Sequence, residues 1–185
     1  MTLFPLGLLS QGGGGVSAAF EQIATANGTG SSNTITFTSI PATYKHLQVR
    51  ITARSTFGNS SIENADITVN GLTSGYSYHY LNSDGGSMNS FGQGSQARWQ
   101  YALAMPQNNQ TSGIHAAATL DILDYTNTNK FKTMRGWLGY YAATRTIQLN
   151  SGSIQTTSAI SSMSFVLPQG NWTTSSRFSL YGIKG

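Results

Sequence analysis

The chain contains no cysteine. That excludes disulfides, a thiolate nucleophile and any cysteine-ligated metal. Charge is scarce as well: Asp, Glu, Lys and Arg make up 9% of the 185 residues, against about 25% in an ordinary globular protein. No apolar run approaches the ~20 residues of a membrane-spanning helix. The N-terminus lacks the basic region and uninterrupted apolar core of a secretory signal, which predicts a chain made soluble and not exported by that route. Amphipathic helices are missing too. The best candidate, SAAFEQIA (17–24), reads better as a strand starting at Phe20.

What is present is Ser, Thr, Asn, Gln and Gly, with 11% aromatic residues. Disordered chains combine few aromatics with many charges, so this composition predicts a folded domain. The formal net charge is +4, but Arg50, Arg54, Arg98, Arg135, Arg145 and Arg177 are scattered. They form no basic run and no nucleic-acid reader motif, which argues for ordinary surface charge, with neither nucleic acid nor membrane as a partner.

Strand signals dominate. HLQVRITAR alternates, with Leu47, Val49, Ile51 and Ala53 on one side and Gln48, Arg50, Thr52 and Arg54 on the other. NTITFTSI repeats the pattern, and ADITVNG ends in Asn70-Gly71, a strong turn signal. GIHAAATLDIL, FKTMRGWLGYY, ISSMSFVL and SRFSLYGI also read as strands, separated by polar turn clusters. Eight to ten such strands predict an all-β fold, an antiparallel β-sandwich of jelly-roll-like type over residues 20–185. Residues 1–19 are expected to be an extended N-terminal arm with a glycine hinge. Ser83 to Ser95, Gly- and Ser-rich, reads as a long loop holding Met88 and Phe91.

No catalytic constellation stands out. Asp121 and Asp124 are three apart, and a period of two sends them to opposite faces of a strand unless a turn intervenes. His46, His79 and His115 lack the local pairing of metal sites. His79, within YSYHY, is expected to be a packed, hydrogen-bonded imidazole. NSDGGS has a single acid where a calcium loop needs several oxygen ligands. No G-x-S-x-G elbow and no G-K-[ST] phosphate loop occurs. The expectation is a protein without catalytic residues, metal or cofactor. Four N-x-[ST] matches are what chance provides in a chain this rich in Asn, Ser and Thr.

The aromatics allow two readings. Tyr76, Tyr78 and Tyr80 recur with period two and share one strand face, and Trp99 and Trp137 add to them. They are candidate glycan contacts, because aromatic faces stack on sugar C–H surfaces. The other reading is that they fill the core or a subunit contact.

The chain begins MTLFPLGLLSQGGGGVS. Burying Leu3, Phe4, Leu6, Leu8 and Leu9 would yield roughly 8–15 kcal/mol. Fixing the segment's backbone costs roughly 8–16 kcal/mol, so it holds only with a receiving groove or with several copies acting together. Pro5 restricts the segment and the Gly run lets the body pivot. The layout predicts a docking arm ahead of a display domain.

FTSIPATYKHLQVRITARS, GYSYHYL, DYTNTNKFKT and SSRFSLYGIKG, in that order over about residues 20–185, resemble virion structural proteins of tailed bacteriophages, especially those of aquatic bacteria. The FPLGLL-plus-Gly start is similar to leaders on some of these proteins. The resemblance implies a multicopy particle component, a head decoration or cement protein or a subunit of a short fibre. It implies a homotrimer assembled in the host bacterial cytoplasm and held to capsid, neck or tail proteins. It supplies no catalytic residues. A receptor-binding fibre tip that grips host surface polysaccharide is the alternative. Within the shared motifs, Pro41 and Tyr44 read as structural, Asp124 to Lys130 as an Asn-rich turn, and Leu180 and Tyr181 as opposite faces of a core strand.

Overall fold

The structure is a computed structural model that describes residues 19–185. The expected arm contacts Leu3, Phe4, Leu6, Leu8 and Leu9 lie outside the described residues. Within them the chain forms twelve strands: β1 Phe20–Asn27, β2 Thr34–Phe37, β3 His46–Ala53, β4 Ile62–Val69, β5 Tyr76–Ser83, β6 Met88–Gln96, β7 Trp99–Pro106, β8 Ala116–Leu123, β9 Lys132–Tyr141, β10 Arg145–Ile154, β11 Met163–Val166 and β12 Arg177–Ile183. They make two antiparallel sheets packed as a sandwich. The larger has eight strands in the order β1-β12-β3-β8-β9-β10-β5-β6, and the smaller has four in the order β2-β11-β4-β7.

Alternation explains the packing. Leu47, Val49, Ile51 and Ala53 of β3 point inward together with Phe178 and Leu180 of β12 and Leu120 and Ile122 of β8. Ile35, Phe37, Ile67, Val69, Met163 and Phe165 face them from the smaller sheet. An aromatic series links the layers: Trp172 meets Phe178 at 4.8 Å between ring centroids, Phe178 meets Phe165 at 5.0 Å, and Phe165 meets Phe37 edge-on at 6.4 Å. One end of the sandwich is held by Arg54, which is buried just after β3. Its Nη1 donates to the carbonyls of Thr111 and Ile114, both at 2.9 Å, and its Nη2 to those of Asn108 (3.2 Å) and Gln110 (2.7 Å). A loop with four inward carbonyls is thereby satisfied by one cation.

The IPATYKHL and DYTNTNK motifs are structural. The Tyr125 hydroxyl donates to the Pro41 carbonyl. The Tyr44 ring lies directly on Gly182, where a Cβ would come within 2.3 Å of it, so only glycine lets β12 pass beneath that ring. In the turn, the Asn127 side chain accepts from the Asn129 amide at 2.8 Å.

Several expectations change. The segment from Ser83 to Ser95 is not a long loop: a four-residue turn, capped by Asp84 Oδ1 accepting from Gly86 (2.8 Å) and Ser87 (2.7 Å), leads into β6, which pairs with β5. Every residue from Met88 to Ser95 is exposed, so no apolar alternation betrays a strand held by backbone pairing and by the contacts of Phe91 and Gln93 with the β5 tyrosines. The strands β7 and β10 are additional to the eight to ten expected. Asn70-Gly71 does turn the chain, both residues at positive φ, but it carries it from one sheet to the other instead of closing a hairpin.

Candidate functional site: the outer face of the eight-stranded sheet

The six carboxylates are each engaged in the framework. Glu21 bonds Lys184 and accepts from the Tyr44 hydroxyl at 3.0 Å. Glu63 is buried and accepts from the Ser55 hydroxyl and from the amides of Gln169 (2.9 Å) and Gly170 (2.8 Å). Asp66 pairs with Arg98 at 3.4 Å, yet burial pushes its carboxyl above the usual range. Asp84 caps its turn, and the Ser87 and Gly86 amides hold its carboxyl low. Asp121 accepts from Gln48 at 2.9 Å and pairs with Arg135 at 3.3 Å. Asp124 sits beyond β8 at positive φ, between Lys130 and Lys45, whose hydrogen bonds hold its carboxyl down to about 2. Among the described residues no three His, Cys, Asp or Glu side chains gather as a metal site would require.

The histidines are equally dispersed. His46 Nδ1 accepts from the Asp124 amide at 2.9 Å. His79 is exposed on the outer face of β5, not packed among the tyrosines, because the period of two sends it opposite to them. His115 Nε2 lies 2.7 Å from the Ser175 hydroxyl, with Nδ1 3.0 Å from the Gly113 carbonyl. Sequence reading misses this pair, since sixty positions separate its members. The pair is exposed and reads as a surface cross-link between two loops.

The five candidate glycan contacts part company. Tyr76, Tyr78 and Trp99 are buried, which removes them from reach of a surface ligand. The Tyr76 hydroxyl accepts from the Val69 amide at 2.9 Å. The Tyr78 hydroxyl bonds Gln93 (3.0 Å) and Gln100 (2.9 Å), and burial, then Tyr101, Asp66 and Tyr80, push it up to about 12. Tyr80 is half-buried in a ring cluster with Phe91 and Tyr101, each at 5.8 Å. Trp137 alone of the five presents an open face, 60% exposed on β9.

Trp137 belongs to a larger pattern. The strand registers set outward residues in rows across the eight-stranded sheet. One row runs Ser179, Arg50, Thr119, Trp137, Leu149, Leu81, Ser90, and the next runs Arg177, Thr52, Ala117, Gly139, Ile147, Ser83, Met88. The two rows are small in the middle and large toward β6. At Thr119, Ala117 and Gly139 they sink into a cleft of about 520 Å³, with Trp137 and Ile147 as one wall and Arg50 and Arg177 on the other side. Arg50 is held there over the rings of Tyr181 (4.9 Å) and Phe20 (5.6 Å).

Beyond Trp137 the face is apolar because β10 is inverted. Ile147 and Leu149 point outward, 58% and 57% exposed, while Gln148 and Asn150 are buried at 3% and 6%. The amides are needed inside. Where β4 and β7 lose register, Tyr101 takes a positive φ, and the carbonyls of Tyr101 and Ala102 turn toward β10. Gln148 Nε2 donates to Tyr101 at 2.9 Å and Asn150 Nδ2 to Ala102 at 3.0 Å. Sequence reading missed Leu81, Met88, Ile147 and Leu149. The alternation in TIQLNSGSI was available as a signal, but ordinary patterning assigns its apolar residues to the inside. No protein-family model, no curated protein and no solved structure matches the chain.

Proposed function

We propose that the chain is a non-enzymatic structural protein of a tailed-bacteriophage virion, a multicopy decoration, cement or fibre subunit. Its N-terminal apolar arm anchors it to the particle and its β-sandwich is displayed outward. The observation that carries this reading is the concentration of exposed apolar side chains, Leu81, Met88, Trp137, Ile147 and Leu149, on one face of the sandwich. Such a face suits a protein that meets other proteins. The motif resemblance and the apolar leader agree with it. The twelve described strands all lie within Phe20–Ile183, so the sandwich is the body that a truncation at residue 11 would keep. Deleting residues 1–11 is expected to leave a folded body that no longer joins particles; full occupancy by the truncated chain would reject the anchor.

One observation favours a second reading, a host-glycan contact: the cleft that sets an open tryptophan face opposite two arginines and the hydroxyls of Thr52 and Thr119. That combination suits an acidic sugar. Binding of the full chain to host surface polysaccharide, lost in Trp137→Ala and in Arg177→Gln, supports it. Binding that survives both changes excludes the cleft.

A further inference from the structure

We infer that the β6 end of this outer face is the contact between copies of this chain, formed by Leu81, Met88, Trp137, Ile147 and Leu149 packing against the same face of a second copy. Four observations converge on that occupant. The five side chains are between 39% and 69% exposed and sit in two adjacent rows over four neighbouring strands. They offer several hundred Å² of apolar surface before their flanks are counted, approaching the roughly 800 Å² that each partner gives to a standard interface. Between β9 and β6 these two rows hold no charged side chain: the other positions are Gly139, Ser83 and Ser90. Two identical patches can therefore meet at their centres without setting like charge against like, the nearest charges, Arg135 and Arg145, lying at the margin.

The inversion of β10 supplies a third reason. Its inward amides explain why Gln148 and Asn150 are buried, but nothing among the described residues covers Ile147 and Leu149. The fourth is the neighbouring edge. β6, MNSFGQGSQ, has no charge and no proline, and among the described residues no element covers its free edge, so apart from one irregularity in its pairing near Gln93–Gln96 it lacks the usual shields of a sheet edge. A second copy seated on the adjoining face would shield it. Self-association through this face is independent of which larger structure the arm engages.

The test uses the full chain and its own tryptophans. Trp99 and Trp172 are buried and Trp137 is open, so acrylamide quenching reports on this face. Sedimentation equilibrium from about 1 to about 100 µM, a range that brackets contacts of modest affinity, is expected to give a multiple of 19.7 kDa at the upper end. Quenching is expected to rise as the chain is diluted. Ile147→Thr with Leu149→Thr is expected to weaken association by about tenfold or more, and Thr36→Ala with Ser164→Ala, on the opposite sheet, to leave it unchanged. A single-copy mass at every concentration overturns the proposal. So does an assembly whose Trp137 is equally quenched throughout, or one that dissociates on loss of residues 1–11 and not with the Ile147 and Leu149 pair; that last result would assign the contact to the arm while leaving the particle-anchor reading open.

Discussion

The two outer faces of the sandwich are made of different material. On the four-stranded sheet a row of Thr36, Ser164 and Thr68 lies across the strands, with the Thr36 and Ser164 hydroxyls 2.9 Å apart, and Asn64 and Asp66 beside them. On the eight-stranded sheet the corresponding positions are Trp137, Leu149, Leu81 and Ile147. Both sheets bury their inner faces in one core, so folding alone demands nothing apolar outside either. A solvated antiparallel face normally alternates to polar residues, as the smaller sheet does. The difference teaches that one outer face follows the ordinary polar pattern, while the other carries apolar side chains that the core of the sandwich does not require.

That contrast can be broken at several depths. The deepest cut is Arg54→Ala, which touches neither outer face. Four carbonyls of the 108–114 loop would lose their donor, and stability in urea is expected to fall by about 3–5 kcal/mol. A loss below ~1 kcal/mol would show that the loop finds other partners. Next comes Gln148→Leu with Asn150→Leu, which restores apolar residues to the inside of β10. The carbonyls of Tyr101 and Ala102 would then be buried without donors, at a cost of about 2–4 kcal/mol; a double variant as stable as the parent would refute the reason given for the inversion.

A smaller effect is expected where the side chains are largest. Ile147→Thr and Leu149→Thr, measured in dilute solution where single copies prevail, should each change unfolding stability by no more than about 0.5 kcal/mol, since both side chains are already solvated. Destabilisation near that of a core truncation would mean the face is packed within one copy. The smallest effect is electrostatic. Asp124 is held down to about 2 from its ordinary 3.8 by Lys130 and Lys45. A carboxyl depressed by folding contributes fully above its unfolded value, and that contribution is lost as pH falls from about 4 through about 2. The melting temperature should decline over that window, and Asp124→Asn should remove part of the decline. Because both lysines are more than half exposed, added salt should shrink the effect too. A window unchanged in the variant would locate the acid response elsewhere.

Much of the sandwich was legible in the chain because β3, β4, β8 and β12 alternate in the ordinary sense, with branched aliphatics inside. β6 was not, since Ser, Gly, Asn and Gln fill most of MNSFGQGSQ and its two large apolar residues, Met88 and Phe91, are three apart and show no period of two. β10 was missed for the opposite reason: its periodicity is clear, but its sense is reversed by two carbonyls on a strand more than forty residues away. Among the aromatic candidates, position decided what residue type could not. Tyr76, Tyr78 and Trp99 have the same chemistry as Trp137 and lie on inward positions, and only pairing registers distinguish them. The cleft depended on Gly139 and Ala117 being adjacent across β8 and β9, a neighbourhood that no local stretch encodes.

The place of β12 has a consequence for how the chain is made. It lies between β1 and β3, pairing with both, yet it follows every other strand in the chain. Until β12 is made, Phe20–Asn27 has no strand to pair with and β3 has one bare side. The eight-stranded sheet therefore cannot close around β1 until residues 177–183 have emerged, and a chain stopped before Arg177 would lack the strand that joins Phe20–Asn27 to the rest of that sheet.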